Sequence, residues 1–385
     1  MVDGASVAGR NLVRDLRKLR CDVTVCTTDL GWPRSLLGTN REDCRIFHAY
    51  FSHVLEIAPG LVGFFAREMR HFDVIHFCGL YSLSTIIGSF AARRFGKPYI
   101  VSPVGDRIPS WKERRAVSSG WIKYVYSRLL ISPALKGAAR IECTSEMERD
   151  QILVQFTVPK GKVGVIPNGV DIASYAIPAA RTLLETKLGI KPGTTPFLYL
   201  GRLSKEKALE FLVVVWEKVI RQRKDSVLVI AGGNEINKEY IELLQGLVRS
   251  SWFSKSVLFP GSVSGGLKNA LLQHSCCLLL PSHRESFGIV VLEALASGTP
   301  VLASEGTPWK CLPAKGCGHW LPWDADIWAK AMIEQGDSWK LGLGGRTLAG
   351  PQWVIENFGW EHVASRYVDV YRQAIELNTK KCSLR

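Results

Sequence analysis

Two glutamates, Glu285 and Glu293, stand eight positions apart in the segment 281–304, which reads PSHRESFGIVVLEALASGTPVLAS. Apolar side chains recur at helical spacing over residues 289–296, and a glycine and a proline shortly afterwards predict the end of that helix. Every residue of the predicted helix except Glu293 is apolar, which indicates burial on most sides. Because an unpartnered carboxylate in such surroundings costs several kcal/mol, we expect Glu293 to meet either a buried cation or the hydroxyl donors of a ligand.

The start of this predicted helix has the chemistry of an anion site. Its first N–H groups, near residues 287–289, have no partner within the helix, and N–H groups at a helix start bind phosphate groups well. Glu285 comes just before that start, where it could hold a bound sugar. The residues alone leave two interpretations open: a ligand site with two carboxylates, or an ordinary core helix with one surface glutamate.

A second group of charges follows the predicted strand 197–200, in the segment FLYLGRLSKEKALEF. Arg202 comes directly after a glycine turn at the carboxyl end of the strand, where open α/β sheets bind their ligands. Lys207 is expected at the start of the next helix, where a cation opposes the helix macrodipole unless an anion joins it. Arg202 and Lys207 could therefore clamp a diphosphate, and the alternative is solvated surface charge.

Both segments resemble signatures of glycosyltransferase family 4, a family of retaining enzymes with the GT-B fold. The first has the pattern P-S-x-x-E-x-F-G followed by E-A-x-A-x-G-x-P-V, and the second resembles the family's G-R-x-x-x-x-K-G, with Ala208 where the family usually has glycine. The resemblance implies that Glu293 binds the ribose of a nucleotide sugar and that Glu285 touches the transferred sugar. It also implies that Arg202 and Lys207 neutralise the leaving diphosphate.

The resemblance further implies a set of nucleotide-binding residues in the second half of the chain. They are Glu293, Ser286, Phe287, Gly288, Ile289, Val263 and Gly201. Val263 belongs to the sequence FPGSV, which is similar to the family's loop whose backbone meets the nucleobase. Because GT-B enzymes as a class need no metal, we expect no metal and no cofactor, and a nucleotide-diphosphate sugar as the donor substrate.

Short apolar strands alternate with helices along the chain, which predicts parallel α/β sheets. The predicted strands are 22–27, 73–77, 99–102, 140–144, 162–167, 197–200, 226–231, 256–259, 277–280 and 300–303. The pattern predicts two domains, 1–172 and 173–357. The resemblance implies that these are two Rossmann-like, doubly wound domains that face each other across a cleft in the GT-B fold. It also implies that the first domain binds the acceptor, that the second binds the nucleotide sugar, and that a final helix at 358–378 packs on the first.

The chain begins differently from the family. The family places a strand and a glycine-rich loop before the helix that we predict at residues 6–20, and only Asp3 and Gly4 resemble that loop. Since the first strand of a doubly wound sheet is central, its loss would leave two neighbouring strands without ladder partners. The sequence therefore predicts that the first strand of the N-terminal domain is missing, through a truncated or misassigned start.

Two further departures concern histidines of the family. Val104 stands in SPVG where the closest subgroup has S-P-H-G, and a valine can neither donate a hydrogen bond nor move a proton. Cys78 replaces a second histidine that is common in the family. In the mechanism thought to operate in the family, the leaving phosphate takes the acceptor's proton, so the histidine would help without being essential. A catalytically silent nucleotide-sugar-binding protein, or a truncated family member, remains the alternative.

Three other features have simpler explanations. Asp324 and Asp326 have the D-x-D spacing of metal-dependent transferases, but they precede a predicted helix and are expected to cap it. His76 is expected to be a satisfied histidine at a strand end rather than a base. His283, beside Glu285, is expected to be incidental.

The 385-residue chain carries a formal net charge of +14, which indicates an anionic partner: nucleotide phosphates, a membrane surface or nucleic acid. It has no recognisable nucleic-acid-binding motif, so no nucleic-acid partner is expected. Ten cysteines without a C-x-x-C pair suit a reducing cytosol and argue against zinc and a disulfide framework. No apolar run approaches the roughly 18 residues of a spanning helix, and no signal peptide is recognisable, so the sequence predicts a cytoplasmic protein.

The segment 107–140 is predicted to meet an anionic membrane. It holds eight cations, four tryptophan or tyrosine residues and a single acid. Such aromatic residues favour the water–lipid boundary, and each cation near an anionic leaflet contributes about 1 kcal/mol. We therefore expect peripheral attachment to the inner face of the membrane, with a glycan or lipid-linked acceptor. The alternative is a solvated helical face whose aromatic residues point into the core. The sequences GTPW and GCGHW resemble a bacterial subgroup that builds surface polysaccharides such as lipopolysaccharide.

Overall fold

The computed structural model describes residues 4–29, 44–50, 58–105, 125–233, 238–342, 347 and 349–383. The chain divides into two compact units. The N-terminal unit comprises Val2–Asn168 and Trp360–Arg385, and the C-terminal unit comprises Gly169–Gly359. Both units are built from parallel strands and helices, which confirms the predicted pair of α/β domains.

The described part of the N-terminal unit holds six strands in two parallel sheets. They are β1 (Val25–Thr28), β2 (Cys44–Phe47), β3 (Ile75–Cys78), β4 (Tyr99–Ser102), β5 (Arg140–Cys143) and β6 (Val163–Val165). β1 pairs with β2, and the second sheet has the order β3-β4-β5-β6, so within the described residues β1 and β3 each pair on one side only. That the first strand of the sheet is missing stays a prediction. The sequence analysis missed β2, because an arginine interrupts the apolar run of its four residues, CRIF.

Six helices belong to the described part of the N-terminal unit. They are α1 (Gly4–Lys18), α2 (Pro59–Glu68), α3 (Leu83–Arg94), α4 (Ser132–Gly137), α5 (Glu146–Gln155) and the last helix of the chain, α14 (Trp360–Ser383). α1 packs against α14. In the core the ring of Phe77 packs edge-on against Phe65 and against Tyr99. The Tyr99 hydroxyl donates to the Ala134 carbonyl at 2.6 Å, so its polar end is satisfied inside the core.

The C-terminal unit contains one six-stranded parallel sheet. Its strands are β7 (Thr195–Leu200), β8 (Ser226–Ala231), β9 (Val257–Gly261), β10 (Cys277–Leu280), β11 (Val301–Ser304) and β12 (Gly318–Leu321). Their order is β12-β11-β10-β7-β8-β9. The chain thus leaves β7 towards β8 and β9 and returns to its other side through β10, which is the doubly wound order with its switch point between β7 and β10. Every residue of β7, β8, β10 and β11 is buried, as in a sheet covered on both faces.

Eight helices belong to the described part of this unit. They are α6 (Ile172–Ala176), α7 (Thr182–Leu188), α8 (Leu209–Gln222), α9 (Lys238–Arg249), α10 (Gly265–His274), α11 (Ile289–Ala296), α12 (Ala325–Lys340) and α13 (Ala349–Phe358). α11 confirms the helix predicted over 289–296, and most of its residues are buried. α8 begins at Leu209, after a single 3₁₀ turn at Lys205–Lys207, which agrees with the helix start predicted near residues 207–208. The strand β12 was missed because glycine and histidine interrupt its short sequence, GHWL.

Candidate active site

The switch point of the C-terminal sheet brings two charged loops together. β7 and β10 are hydrogen-bonded neighbours. The loop after β7 carries Arg202 and Lys207, and the loop after β10 carries Glu285. The main chains of the two loops meet directly, because the His283 N–H donates to the Glu206 carbonyl at 2.8 Å. The predicted charged residues therefore share the edge at which open parallel sheets bind their ligands.

Lys207 and Glu285 form an ion pair in which the ammonium meets Oε2 of the carboxylate. Their side chains are only 14% and 15% exposed. A cation just ahead of a helix opposes the helix macrodipole, so we expected an anion near Lys207, and Glu285 is that anion. Because water screens a partly buried pair weakly, each charge fixes the position of the other.

Arg202 is exposed and makes no ion pair with the residues that the structure describes. Its carbonyl accepts a hydrogen bond from the Tyr199 hydroxyl at 2.6 Å, so the backbone is held while the guanidinium stays available. The preceding turn is fixed as well, because Gly201 donates its N–H to the Ala231 carbonyl at 3.0 Å. Gly232 has a φ of +147°, and a Cβ there would lie 1.8 Å from the Gly201 carbonyl oxygen, so only glycine fits beside this turn.

Ala208 gives a physical reason for the glycine of the family motif. Its φ is +52°, in the left-handed region that glycine enters without a steric penalty. It is the residue between the 3₁₀ turn and α8. A residue with a Cβ in this conformation costs about 1–2 kcal/mol, so the loop that carries Lys207 is strained at its end.

Glu293 meets a cation, which is the first of the two environments expected for it. Its Oε1 accepts the Lys268 ammonium and the Tyr175 hydroxyl, each at 2.7 Å. The Glu293 and Lys268 side chains are 15% and 25% exposed. The sequence analysis missed both partners, which lie 25 and 118 positions away along the chain, and no spacing or motif among the residues pointed to them.

Four of the predicted nucleotide-binding residues lie together at the start of α11. Gly288 precedes the helix with a φ of +79°, and a Cβ on it would lie 3.1 Å from Cγ of Glu285. Phe287 is buried, and Ser286 and Ile289 are half-buried. The predicted anion site at the helix start is thus directly beside Glu285, and the binding of a phosphate there stays a prediction.

Three other residues of this unit stand at its ligand edge or cap a helix. Val263 follows β9, two strands from β7 along the same edge, and packs half-buried against the core. Asp324 accepts two backbone N–H groups of α12 at 2.8 and 3.0 Å, which confirms its predicted capping role. The His283 ring stacks on Trp323, with ring centroids 4.2 Å apart.

Among the residues that the structure describes, no three His, Cys, Asp or Glu side chains are grouped to hold a metal ion.

The sheet of the N-terminal unit ends in a hydrogen-bonded network around His76. Its Nδ1 lies 2.8 Å from the Tyr371 hydroxyl and its Nε2 lies 2.8 Å from Oγ of Ser102. Burial lowers the pKa of His76 to about 4, so the ring is neutral at pH 7. The prediction of a satisfied strand-end histidine is confirmed. Nearby, Cys78 is exposed and Val104 adopts a φ of +51°, which strains a β-branched residue.

Part of the segment predicted to meet a membrane, residues 107–124, lies outside the described residues. In the remainder, the Tyr126 ring stacks on Tyr81 and its hydroxyl donates to the Tyr81 carbonyl at 3.0 Å. Arg140 pairs with the buried Glu142 at 3.0 Å. These members of the segment are engaged within the fold. No helix in the described ranges combines the length and the apolar character needed to cross a bilayer.

Comparison with known families identifies the chain. Residues 2–174 match the model of Glycosyltransferase Family 4, and residues 181–310 match the model of Glycosyl transferases group 1. The chain therefore belongs to glycosyltransferase family 4. A D-inositol 3-phosphate glycosyltransferase from Kineococcus radiotolerans is 26% identical over 325 residues, which are 80% of this chain and 73% of that protein.

Solved structures show the same fold. HepE from Anabaena, crystallised with UDP and glucose, superposes with a TM-score of 0.75 and 15% identity over 96% of both chains. WaaG, a glycosyltransferase involved in lipopolysaccharide biosynthesis, superposes with a TM-score of 0.63 and 14% identity over 98% of this chain and 96% of WaaG. The predicted GT-B fold is thereby confirmed.

Proposed function

We propose that this protein is a retaining, metal-independent glycosyltransferase that moves a hexosyl group from a nucleotide-diphosphate sugar to a hydroxyl group of a glycan or lipid-linked acceptor. The observation that carries the proposal is the charged edge at the switch point, where Lys207 meets Glu285 beside the exposed Arg202. Membership of a glycosyltransferase family supports transfer chemistry, and HepE, which was crystallised with UDP and glucose, supports a nucleotide-sugar donor.

The charges of this edge suit a diphosphate. Among the site residues and their partners, three cations, Arg202, Lys207 and Lys268, stand against two carboxylates, Glu285 and Glu293. Arg202 offers a planar fork for phosphate oxygens, and Lys207 offers a compact charge. Positive groups fixed where negative charge develops in the leaving group lower the barrier by several kcal/mol.

In the proposed reaction, the bond between C1 of the sugar and the diphosphate oxygen breaks, and C1 bonds to the acceptor oxygen on the same face. The acceptor's proton passes to the leaving phosphate oxygen, so the step needs no protein base. In this scheme Glu285 orients the sugar and Glu293 binds the ribose, while Arg202 and Lys207 stabilise the nucleoside diphosphate as it departs. A valine at position 104 is compatible with it.

The first test is a thermal-shift panel of UDP, GDP, ADP and their sugars. A ligand that binds only the folded protein raises its melting temperature, so one nucleotide should stabilise the chain above the others. The matching nucleotide sugar should then be hydrolysed slowly in the absence of an acceptor, and Glu285→Ala should abolish that hydrolysis while the nucleoside diphosphate still binds. A chain that no nucleotide stabilises, or unchanged hydrolysis by Glu285→Ala, would contradict the proposal.

A second candidate is a catalytically silent nucleotide-sugar-binding protein, and Val104 is the observation that favours it. A valine in place of the family histidine removes a hydrogen-bond donor at the carboxyl end of β4. This candidate expects calorimetric binding of a nucleoside diphosphate with neither hydrolysis nor transfer of the sugar. Turnover by the wild-type chain would eliminate it.

We also propose a cell-envelope acceptor and peripheral attachment to the cytoplasmic face of the membrane. The net charge of +14 and the basic segment 107–140 support it, as does the likeness to WaaG. The chain should sediment with anionic vesicles at low salt and remain in solution at high salt or with neutral vesicles, because salt screens the attraction. If the chain sediments with neither vesicle type, the basic segment serves another partner.

A further inference from the structure

Side chains from three helices meet at one oxygen of Glu293. Oε1 of Glu293, on α11, accepts the Tyr175 hydroxyl from α6 and the Lys268 ammonium from α10, each at 2.7 Å. The Lys268 ammonium also donates to the Tyr175 hydroxyl oxygen at 3.3 Å. The three side chains form a closed triangle, which we call the Glu293 clamp.

The direction of each hydrogen bond in the Glu293 clamp is fixed by chemistry. An ammonium group only donates, and a tyrosine hydroxyl has a single proton. Because Tyr175 accepts from Lys268, its own proton points to Glu293. Burial and the neighbouring Glu293 carboxylate raise the pKa of Tyr175 well above its usual range, so the hydroxyl keeps that proton at neutral pH.

The clamp uses one of the two carboxylate oxygens. Each oxygen has about two acceptor positions, and two donors fill those of Oε1. No donor from the residues that the structure describes contacts Oε2 of Glu293. Since the side chain is 15% exposed, Oε2 and its acceptor positions remain available to the hydroxyl groups of a ligand.

The clamp is held in place because α10 carries the donors that fix α6. Gln273, buried on α10, donates from Nε2 to the carbonyl of Tyr175 at 3.0 Å and to the carbonyl two residues later at 2.7 Å. Asn269 donates to the Ser174 carbonyl at 2.8 Å. Since Lys268 is on the same helix, α10 positions both the ammonium and the backbone that carries the Tyr175 hydroxyl.

We propose that Lys268 and Tyr175 are positioning residues that hold Glu293 so that its Oε2 accepts the ribose hydroxyl groups of a nucleoside diphosphate. The inference rests on the proposed function, in which Glu293 binds the ribose. Both residues act through the carboxylate. Without them the Glu293 side chain gains rotamers in which Oε2 no longer faces the ribose.

The test separates the ribose contact from all other contacts of the nucleotide. Calorimetry with UDP, GDP and ADP identifies the base that the wild-type chain binds, and the 2′,3′-dideoxynucleoside diphosphate of that base lacks both hydroxyl groups. Tyr175→Phe and Lys268→Met should each weaken binding of the ribonucleotide about tenfold, the scale of a lost hydrogen bond to a charged group, and should change binding of the dideoxynucleotide less than about twofold.

Three matched variants control for charge and folding. Lys187→Met removes an exposed cation from α7 of the same unit and should bind both nucleotides as the wild type does. Lys268→Arg keeps a cation and should retain most of the preference for the ribonucleotide. The double variant Lys268→Met with Glu293→Gln leaves no unpaired charge at the clamp, and it should bind the two nucleotides with similar affinity.

The outcomes distinguish the inference from the function on which it rests. Equal weakening of both nucleotides by Tyr175→Phe and Lys268→Met would show a purely structural role and overturn the inference. It would also be overturned if the wild type bound both nucleotides equally, or if the two variants kept the wild-type preference. A wild-type chain that binds none of the three nucleotides would instead contradict the proposed function.

Discussion

The two glutamates at the ligand edge of the C-terminal unit and Glu148 of the N-terminal unit, which follows β5, differ in their hydrogen-bond partners. In the C-terminal unit, Glu285 pairs with Lys207 and Glu293 pairs with Lys268, and the four side chains are between 14% and 25% exposed. In the N-terminal unit, Glu148 on α5 is 3% exposed, and its oxygens accept two backbone N–H groups and a hydroxyl group.

The contrast separates a structural carboxylate from carboxylates that can take part in binding. Oε1 of Glu148 accepts the Gly105 N–H at 2.8 Å, and Oε2 accepts the N–H and the hydroxyl of Thr144 at 2.6 and 3.0 Å. Donors of the fold itself thus occupy both oxygens. Glu285 and Glu293 each keep one oxygen that no donor among the described residues contacts. A carboxylate with a spare oxygen and a lysine partner can exchange contacts with a ligand, whereas Glu148 stabilises the chain around it.

The largest expected effect is on catalysis in the C-terminal unit. Lys207→Met removes a cation that faces the developing diphosphate, so the turnover number should fall about a hundredfold or more. Lys205→Met, which removes an exposed lysine from the same 3₁₀ turn, should leave turnover close to that of the wild type. Steady-state kinetics with the donor found in the thermal-shift panel measures both. Similar rates for the two variants would remove Lys207 from the proposed site.

The next effect is on stability in the N-terminal unit. Glu148→Ala removes the acceptor of the buried Thr144 N–H and of the Gly105 N–H, so the free energy of unfolding should fall by about 2–4 kcal/mol. Glu146→Ala, at an exposed position of α5, should change it by less than about 1 kcal/mol. Urea unfolding measures these values, and calorimetry on the folded Glu148→Ala chain should give wild-type affinity for the nucleoside diphosphate. A large loss of affinity would show that Glu148 also contributes to nucleotide binding and is not purely structural.

A pH effect should come from His76. Its pKa in the folded chain, about 4, lies below the ordinary value of 6.5, so protonation favours the unfolded state. The stability that neutral His76 contributes is fully present above pH 6.5 and is lost as the pH falls towards 4, with a loss of about 1–3 kcal/mol.

Urea unfolding between about pH 7 and about pH 5 measures this loss. His76→Gln cannot titrate and should flatten this part of the pH profile. His362→Gln changes an exposed histidine of α14 and should keep the wild-type profile. A slope that survives in His76→Gln would assign the effect to another group.

The smallest expected effect is shared by the two units. Ala208 and Val104 both hold left-handed backbone conformations, one beside the charged edge and one in the N-terminal unit. Ala208→Gly and Val104→Gly should each raise the free energy of unfolding by about 1 kcal/mol. Glycine relieves the steric strain in the folded chain, and the greater conformational entropy that it gives the unfolded chain offsets part of this gain. Val154→Gly, at an exposed helical position, should lower it instead. Equal changes at all three positions would argue against strain.

Much of the fold followed from local patterns. All ten predicted strands are present in the structure, because a buried parallel strand is a short apolar run that a single sequence shows directly. The capping role of Asp324 was likewise predictable, since a cap depends on residues next to it. The four-residue strands β2 and β12 were missed because arginine in one, and glycine and histidine in the other, interrupt the apolar run.

The sequence by itself determined the α/β class and an apolar helix with a single glutamate at position 293. It also determined the charged residues at the ends of two strands. The tertiary structure decided which of these residues meet. β10 lies beside β7, so the loop with Glu285 reaches Lys207, and α6 and α10 bring Tyr175 and Lys268 to Glu293. These pairings depend on strand order and helix packing between segments far apart in the chain, and residue spacing cannot specify which cation will reach which carboxylate.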